Sequence, residues 1–203
     1  MLKFYGYNVS SPSNKVQYCL NALALKYEFI NVDLYSGEQY SDGYLALNPA
    51  GKVPVIDDDG FVLYESNAII RYLCNKAESA LYPKDLQKRA MVDQWCDFIT
   101  GLVGNAFGKV YFNIAVAPRL SIEVDQRSLE EGRSFIDKYL PVLENQLSNN
   151  EYIVGDALSI ADIALIATLD SAETIEIDMS LYPNLSAWRS KVKDMDFYCK
   201  GVK

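Results

Sequence analysis

The stretch that decides the fold is Asn48–Ile69, NPAGKVPVIDDDGFVLYESNAI. At its centre, Asp58-Asp59-Gly60 is a turn-forming triplet between two short runs of β-formers, Val53–Asp57 and Phe61–Tyr64. That pattern predicts a hairpin. The first arm opens on Val53-Pro54. A proline here removes a ladder donor and belongs at a strand start or on an edge. Two readings stay open: a trans edge-strand proline, or a cis peptide that turns the Val53 N–H and C=O outward towards an extended peptide. After the second arm, Glu65-Ser66 closes a strand and opens a helix with Ala68, Ile69, Tyr72 and Leu73 on one side. A hydroxyl beside helix N–H groups can hold a carboxylate, and Glu65 can take an ammonium next to it. Ser66 as a plain N-cap is the alternative. Lys52, just before Val53, can meet a second carboxylate or simply stand in solvent.

Working upstream, Leu2–Tyr7 reads as a strand. Val16, Cys19, Leu20, Leu23 and Ala24 then fall on one helix face, and Tyr27–Val32 is a second strand. Tyr35–Tyr44 is mainly loop, and Leu45–Leu47 closes a short helix. Residues 1–76 thus form strand-helix-strand followed by strand-strand-helix, a parallel pair extended by antiparallel strands. Ser10-Ser11-Pro12-Ser13 joins the first strand to the first helix. Pro12 suits the first helical position and Ser11 the N-cap, which leaves Ser10 one residue outside. Its hydroxyl can donate to a thiolate near the positive end of the helix, lowering a thiol pKa from about 8.5 towards neutrality. In the other reading the serines only cap.

Downstream the chain reads as all-helical. Residues 77–85 (AESALYPKD) are a linker, since Pro83 blocks a continuous helix. Met91, Trp95, Phe98 and Leu102 mark a long amphipathic helix, and Ile122–Leu147 another, with Pro141 as a kink or break. Ser159–Ala172 is apolar on most sides and therefore buried, and Ser159 with Asp162 makes a capping box for it. A last helix spans Leu185–Met195. The expected division is 1–76, linker 77–85, and an all-helical domain 86–203.

Composition narrows the chemistry. Of 203 residues half are hydrophobic and 23% charged, a globular balance. The net charge of −8 disfavours nucleic acid and anionic membrane as partners. No apolar run reaches the ~18 residues of a membrane span. The four cysteines, Cys19, Cys74, Cys96 and Cys199, are scattered without a CxxC pair, which fits a reducing, cytoplasmic compartment. There is no histidine, which removes His-based triads and most metal-ligand sets.

These residues resemble the cytosolic glutathione transferase family over essentially the whole chain, closest to its serine-type classes (theta, delta, phi and related bacterial enzymes). The resemblance rests on the GKVP…DG…L-x-ES-x-AI run, the S-x-P-x-x-x-V spacing from Ser10 to Val16, and Lys15-Val16. In the helical half it rests on VDQWCDF from Val92 and on the GD-x-x-S-x-AD box from Gly155. It implies a thioredoxin-like α/β N-terminal domain (βαβ-ββα), an all-α C-terminal domain, a homodimer, no metal, and glutathione as co-substrate with a small hydrophobic electrophile. It implies that Ser10 stabilises the thiolate and that Val53, before Pro54, pairs with the cysteinyl backbone. Glu65 and Ser66 then take the γ-glutamyl head, Lys52 the glycine carboxylate, and Gln39 donates a hydrogen bond. Family position puts Gly101, Asn105, Gly108, Tyr111 and Phe112 at the electrophile site, with the two aromatics equally readable as core. The chain departs from the pattern at Gln39, where phi and theta members often carry histidine, and at Asn67, where arginine commonly follows Glu-Ser. The Ser-Ser-Pro-Ser run also echoes the zeta isomerases, with Pro12 in place of their cysteine. The ESNAI string is shared with the transferase-like domain of the gamma subunit of elongation factor one, a non-enzymatic binding module.

Overall fold

The computed structural model describes residues 1–200 and separates into two units: Met1–Tyr82 together with residues 195–200, and Pro83–Asp194.

In unit 1, β1 (Leu2–Gly6) carries the fully buried Phe4, whose ring meets Tyr27 at 5.8 Å and Phe29 at 5.3 Å. β1 pairs in parallel with β2 (Glu28–Asn31) and antiparallel with β3 (Val55–Asp58), which pairs antiparallel with β4 (Phe61–Tyr64). The sheet order is β2-β1-β3-β4, the mixed α/β architecture that the alternation of elements predicts. Asp59 and Gly60, with φ of 52° and 96°, make the two-residue turn between β3 and β4. Both are left-handed, the requirement of a hairpin turn whose twist matches its strands. α1 (Ser11–Ala22) and α3 (Ser66–Lys76) pack on each other, with Cys19 Sγ 3.8 Å from Cys74 Sγ. α2 (Asp42–Leu45) is a single turn capped by Ser41 and lies earlier than the Leu45–Leu47 helix expected.

Two local expectations shift. The apolar face of α1 is buried at Val16, Cys19 and Leu20, but the helix ends at Ala22, and Ala24 takes a left-handed φ of 51° in the open. α3 buries Ile69, Ile70, Leu73 and Cys74, so the row through Ile70 and Cys74 replaces Ala68 and Tyr72. Tyr72 instead donates to Asp58 Oδ2 at 2.6 Å beside a Lys76–Asp58 ion pair, and these two partners hold the Asp58 carboxyl below its usual range.

α9 (Asp196–Cys199) belongs with unit 1, where Tyr18 of α1 meets Phe197 at 6.2 Å and Tyr198 at 5.1 Å. Asn21 Nδ2 donates to Phe197 O at 3.1 Å. Nothing in the local pattern of residues 195–200 signals this tertiary pairing.

Unit 2 is helical. α4 (Leu86–Phe98), a π-helical turn Ile99–Val103, α5 (Gly104–Tyr111) and a second π turn Phe112–Val116 follow without a break. Their buried face runs through Val92, Trp95, Cys96, Ile99, Val103, Phe107 and Val110. Met91 and Leu102, expected on that face, are 48% and 42% exposed, so the apolar stripe lies one position over. α6 (Gln126–Leu147) begins at an Asp125 cap and carries Pro141 within it. Gly132 on α6 allows close approach to α5, since a Cβ there would stand 2.8 Å from Val110 and 3.0 Å from the Ala106 carbonyl.

α7 (Ile160–Leu169) is buried along its whole length, as its all-round apolarity predicts. Its capping box is formed: Ser159 and Asp162 satisfy each other's backbone N–H. Asp162 does more than cap. Its carboxylate also accepts from Ile153 N–H at 2.9 Å and Trp188 Nε1 at 3.1 Å. Burial pushes this carboxyl upward while the four donors pull against it. α8 (Pro183–Lys193) places Arg189 so that its guanidinium grips both oxygens of Glu173, at 2.6 and 2.7 Å, and the Leu169 carbonyl at 2.8 Å.

Removing the Asp162 carboxylate strands buried donors that each cost about 1–3 kcal/mol unpaired. Asp162→Ala is therefore expected to lower unfolding stability by on the order of 3 kcal/mol or more, read by urea denaturation; a loss below about 1 kcal/mol rejects this accounting. The Arg189 fork lowers the Glu173 pKa from 4.5 to about 2. A depressed folded-state pKa stabilises above the unfolded value and loses that contribution as pH falls towards the folded one. The stability gap between the natural chain and Glu173→Gln should thus be constant above pH 4.5 and shrink towards pH 2. The solvent exposure of Glu173 keeps the gap small.

Candidate functional site

Every residue singled out as a glutathione contact lies in unit 1, in its loops and at its helix starts. Val53-Pro54 is cis, which settles the open alternative. The ladder begins at Val55, so the Val53 N–H and C=O lie outside it. The preceding carbonyl is fixed from two sides: Lys52 O accepts from Tyr44 Oη at 2.8 Å and Asn48 Nδ2 at 2.7 Å. Tyr44 is buried, and burial raises its phenol well above the ordinary value, so it stays a donor. Gly51 turns the chain into this segment with φ of 59°, and a Cβ there would come 2.9 Å from the Tyr40 ring. The Lys52 side chain is exposed.

α3 begins in an unusual way. Its N-cap is Glu65, not Ser66, and Glu65 makes no side-chain cap hydrogen bond. Its backbone sits at φ 70°, ψ 109°, a region that a residue with a Cβ occupies only at a cost of about 1–3 kcal/mol. Ser66, the first helical residue, is 7% exposed and directs its hydroxyl inward, where Lys15 Nζ donates to it at 3.2 Å. By contrast Ser41, Asp85, Asp125 and Ser159 each cap their helices with a side-chain oxygen. At α8 the cap comes from elsewhere in the chain: Glu144 of α6 accepts from Asn184 N–H at 3.0 Å and Leu185 N–H at 2.8 Å. A carboxylate brought to a bare helix start is thus a solution that this molecule already uses.

Ser10 departs from the expected numbering of the cap. α1 starts at Ser11, so Ser10 itself is the N-cap, and Pro12 falls in the first turn, where its missing N–H costs nothing. Ser10 Oγ accepts from Ser13 N–H at a long 3.4 Å. Its own proton donates to nothing among the described residues. Ser13 is buried, and its Oγ accepts from Tyr7 N–H at 3.2 Å. The geometry therefore separates the serines: Ser13 ties the loop, while Ser10 caps and keeps a donor. Gln39 is turned inward, with Nε2 donating to Leu34 O at 3.3 Å and Oε1 enclosed without a partner among the described residues. That bond uses one of the two protons on Nε2.

In unit 2, Gly101, Asn105, Gly108 and Phe112 line one cavity of about 610 Å³ together with Phe135 and Tyr139 of α6; Tyr111 is not among its walls.

Comparison with known proteins accounts for both halves. Residues 4–81 match the model described as the glutathione S-transferase N-terminal domain, and residues 93–194 match that of the C-terminal domain. The chain belongs to the glutathione S-transferase family. The transferase is 32% identical over 186 residues to glutathione S-transferase D6 of Drosophila melanogaster, covering 90% of this chain and 83% of the relative. It is 34% identical over 178 residues to glutathione S-transferase F10 of Arabidopsis thaliana, covering 83% and 81%. Among solved structures, a Nilaparvata lugens delta-class glutathione transferase superposes with a TM-score of 0.88 at 31% identity, over 100% of this chain and 95% of that one. Glutathione transferase F7 of Populus trichocarpa does so with 0.90 at 26%, over the full length of both. Among the described residues no helix is long and apolar enough to cross a membrane, and no cluster of His, Cys, Asp or Glu is arranged to hold a metal ion.

The residue that sequence reasoning missed is Lys15. Its family-like position was legible, but its burial at 2% was not, because a lysine on a surface helix reads as solvated. The strained backbone at Glu65 yields a test. Glu65→Gly relieves the Cβ conflict and is expected to raise unfolding stability by about 1 kcal/mol, whereas Glu65→Ala, which keeps the Cβ, should not. Equal stability of the two variants in thermal melts would contradict the strain.

Proposed function

We propose that this glutathione transferase lays its co-substrate along the edge from Lys52 to Ser66, with the thiol at Ser10. The observation that carries the reading is the start of α3. It lacks a side-chain cap from its own N-cap residue, and its first residue is a serine whose oxygen accepts from Lys15. An incoming carboxylate completes it as Glu144 completes α8. In this reading the γ-glutamyl carboxylate takes that place, with its ammonium at Glu65. The cysteinyl backbone pairs with Val53 ahead of Pro54, and the exposed Lys52 meets the glycine carboxylate. Gln39, whose Nε2 keeps a second proton beside the one given to Leu34 O, donates a hydrogen bond to the ligand.

Magnitudes decide what Ser10 must supply. A free thiol of pKa about 8.5 is only a few per cent thiolate at pH 7. One hydrogen bond to the charged sulfur is worth about 1.5–3 kcal/mol, or about one to two pKa units. Ser10 alone thus brings the thiol to roughly neutral, and the positive end of α1 adds to it in the same direction. The amide of Ser13 on the Ser10 oxygen polarises the hydroxyl as a donor. Binding also orders the sulfur beside a hydrophobic electrophile, which removes orientational entropy from the reaction. A homodimer fits the exposed Leu86 and Met91 on α4 of the helical unit.

Because Ser10 also caps α1, the test must keep the helix. Glycine replaces an N-cap serine at a cost of only a few tenths of a kcal/mol. Ser10→Gly is expected to retain the melting temperature while conjugation of a chloronitrobenzene-type substrate falls by about tenfold or more. The thiolate absorbance of bound glutathione should shift to higher pH. Unchanged conjugation in a folded variant removes Ser10 from this role.

A further inference from the structure

We propose that Lys15 is a positioning residue for the γ-glutamyl end of glutathione, acting through the hydroxyl of Ser66. The proposal rests on the reading that the start of α3 binds that carboxylate. Lys15 lies in the second turn of α1 and is 2% exposed. Its ammonium crosses to the first turn of α3, donating to Ser66 Oγ at 3.2 Å and to Asn67 Oδ1 at 2.9 Å.

Proton bookkeeping gives this contact a direction. An ammonium has donors only, so it compels Ser66 Oγ and Asn67 Oδ1 to act as acceptors there. The Ser66 proton is then directed to another acceptor, and the Asn67 amide is fixed with its oxygen towards the lysine. A hydroxyl whose oxygen already accepts from a cation is also a stronger donor. Lys15 therefore turns Ser66 from a side chain that could either donate or accept into one that donates, which is what a carboxylate needs. The positive charge itself, held within one hydrogen bond of the hydroxyl, attracts the same group and reinforces the helix N-terminus. Lys15 also shares α1 with Ser10, so a single helix carries both the group that meets the sulfur and the group that sets the far end of the ligand.

The test compares glutathione with its analogue in which the γ-glutamyl residue is replaced by γ-aminobutyrate, which lacks only that carboxylate. Lys15→Met keeps the apolar stem and removes the donor. With glutathione its KM is expected to rise about tenfold, the worth of one hydrogen bond to a charged group, with kcat changed far less. With the analogue, Lys15→Met and the natural protein should have the same KM. Ser66→Ala is measured beside it with both ligands. If Ser66→Ala discriminates between the ligands and Lys15→Met does not, the carboxylate site stands and the role of Lys15 is overturned. If neither discriminates, the reading of α3 fails and the proposal with it. Should Lys15→Met not fold, Lys15→Gln carries the same comparison, since its amide can donate without the charge. A KM for glutathione equal to that of the natural protein would overturn the role of the ammonium charge.

Discussion

The backbone of one residue, Glu65, governs how unit 1 presents its chemistry. β4 ends at Tyr64 and α3 begins at Ser66, so the whole reversal from strand to helix falls on a single residue held at positive φ. A longer connection would leave room for a conventional cap. With none, the helix starts directly at the sheet edge, with its side-chain capping left to groups from outside the turn. Ahead of the neighbouring strand β3, two donors on the Lys52 carbonyl fix the peptide before Val53. Both constraints act on backbone, which fits a ligand recognised through its own peptide groups and carboxylates.

Much of this was legible because the signals are local. Asp59-Gly60 demands left-handed backbone and so names the hairpin. Ser159 and Asp162 stand at the spacing at which each satisfies the other's amide, so the start of α7 was readable. Glu65-Ser66 between a β run and an apolar helical face located the α3 terminus to within one residue. The errors came where two neighbouring residues fit one rule equally well. Ser10 and Ser11 are both good caps, and a proline is tolerated at either of the first two helical positions, so the sequence did not choose between them.

Other failures came from tertiary causes. Met91 and Leu102 were placed inside on a regular helical period, but the true stripe runs through Val92, Ile99 and Val103, and π turns at Ile99–Val103 and Phe112–Val116 interrupt the period. Lys15 was readable as a family-like residue but not as a buried one, since its partners stand on a helix about fifty residues away. Gln39 was expected to donate a hydrogen bond, and only the fold shows that one of its amide protons goes to the Leu34 carbonyl. The return of residues 195–200 to unit 1 depends on rings of Tyr18 and Tyr198 that no local window contains together.

That return has a consequence for the order in which the molecule can be made. On a ribosome, amino-terminal domains ordinarily acquire their structure first. Here unit 1 lacks one packed layer, α9 against α1, until residues 195–200 have emerged. The helical unit, encoded in the middle, is complete before the unit that precedes it. Unit 1 is thus completed after the helical unit, although its strands and the start of α3 are translated first.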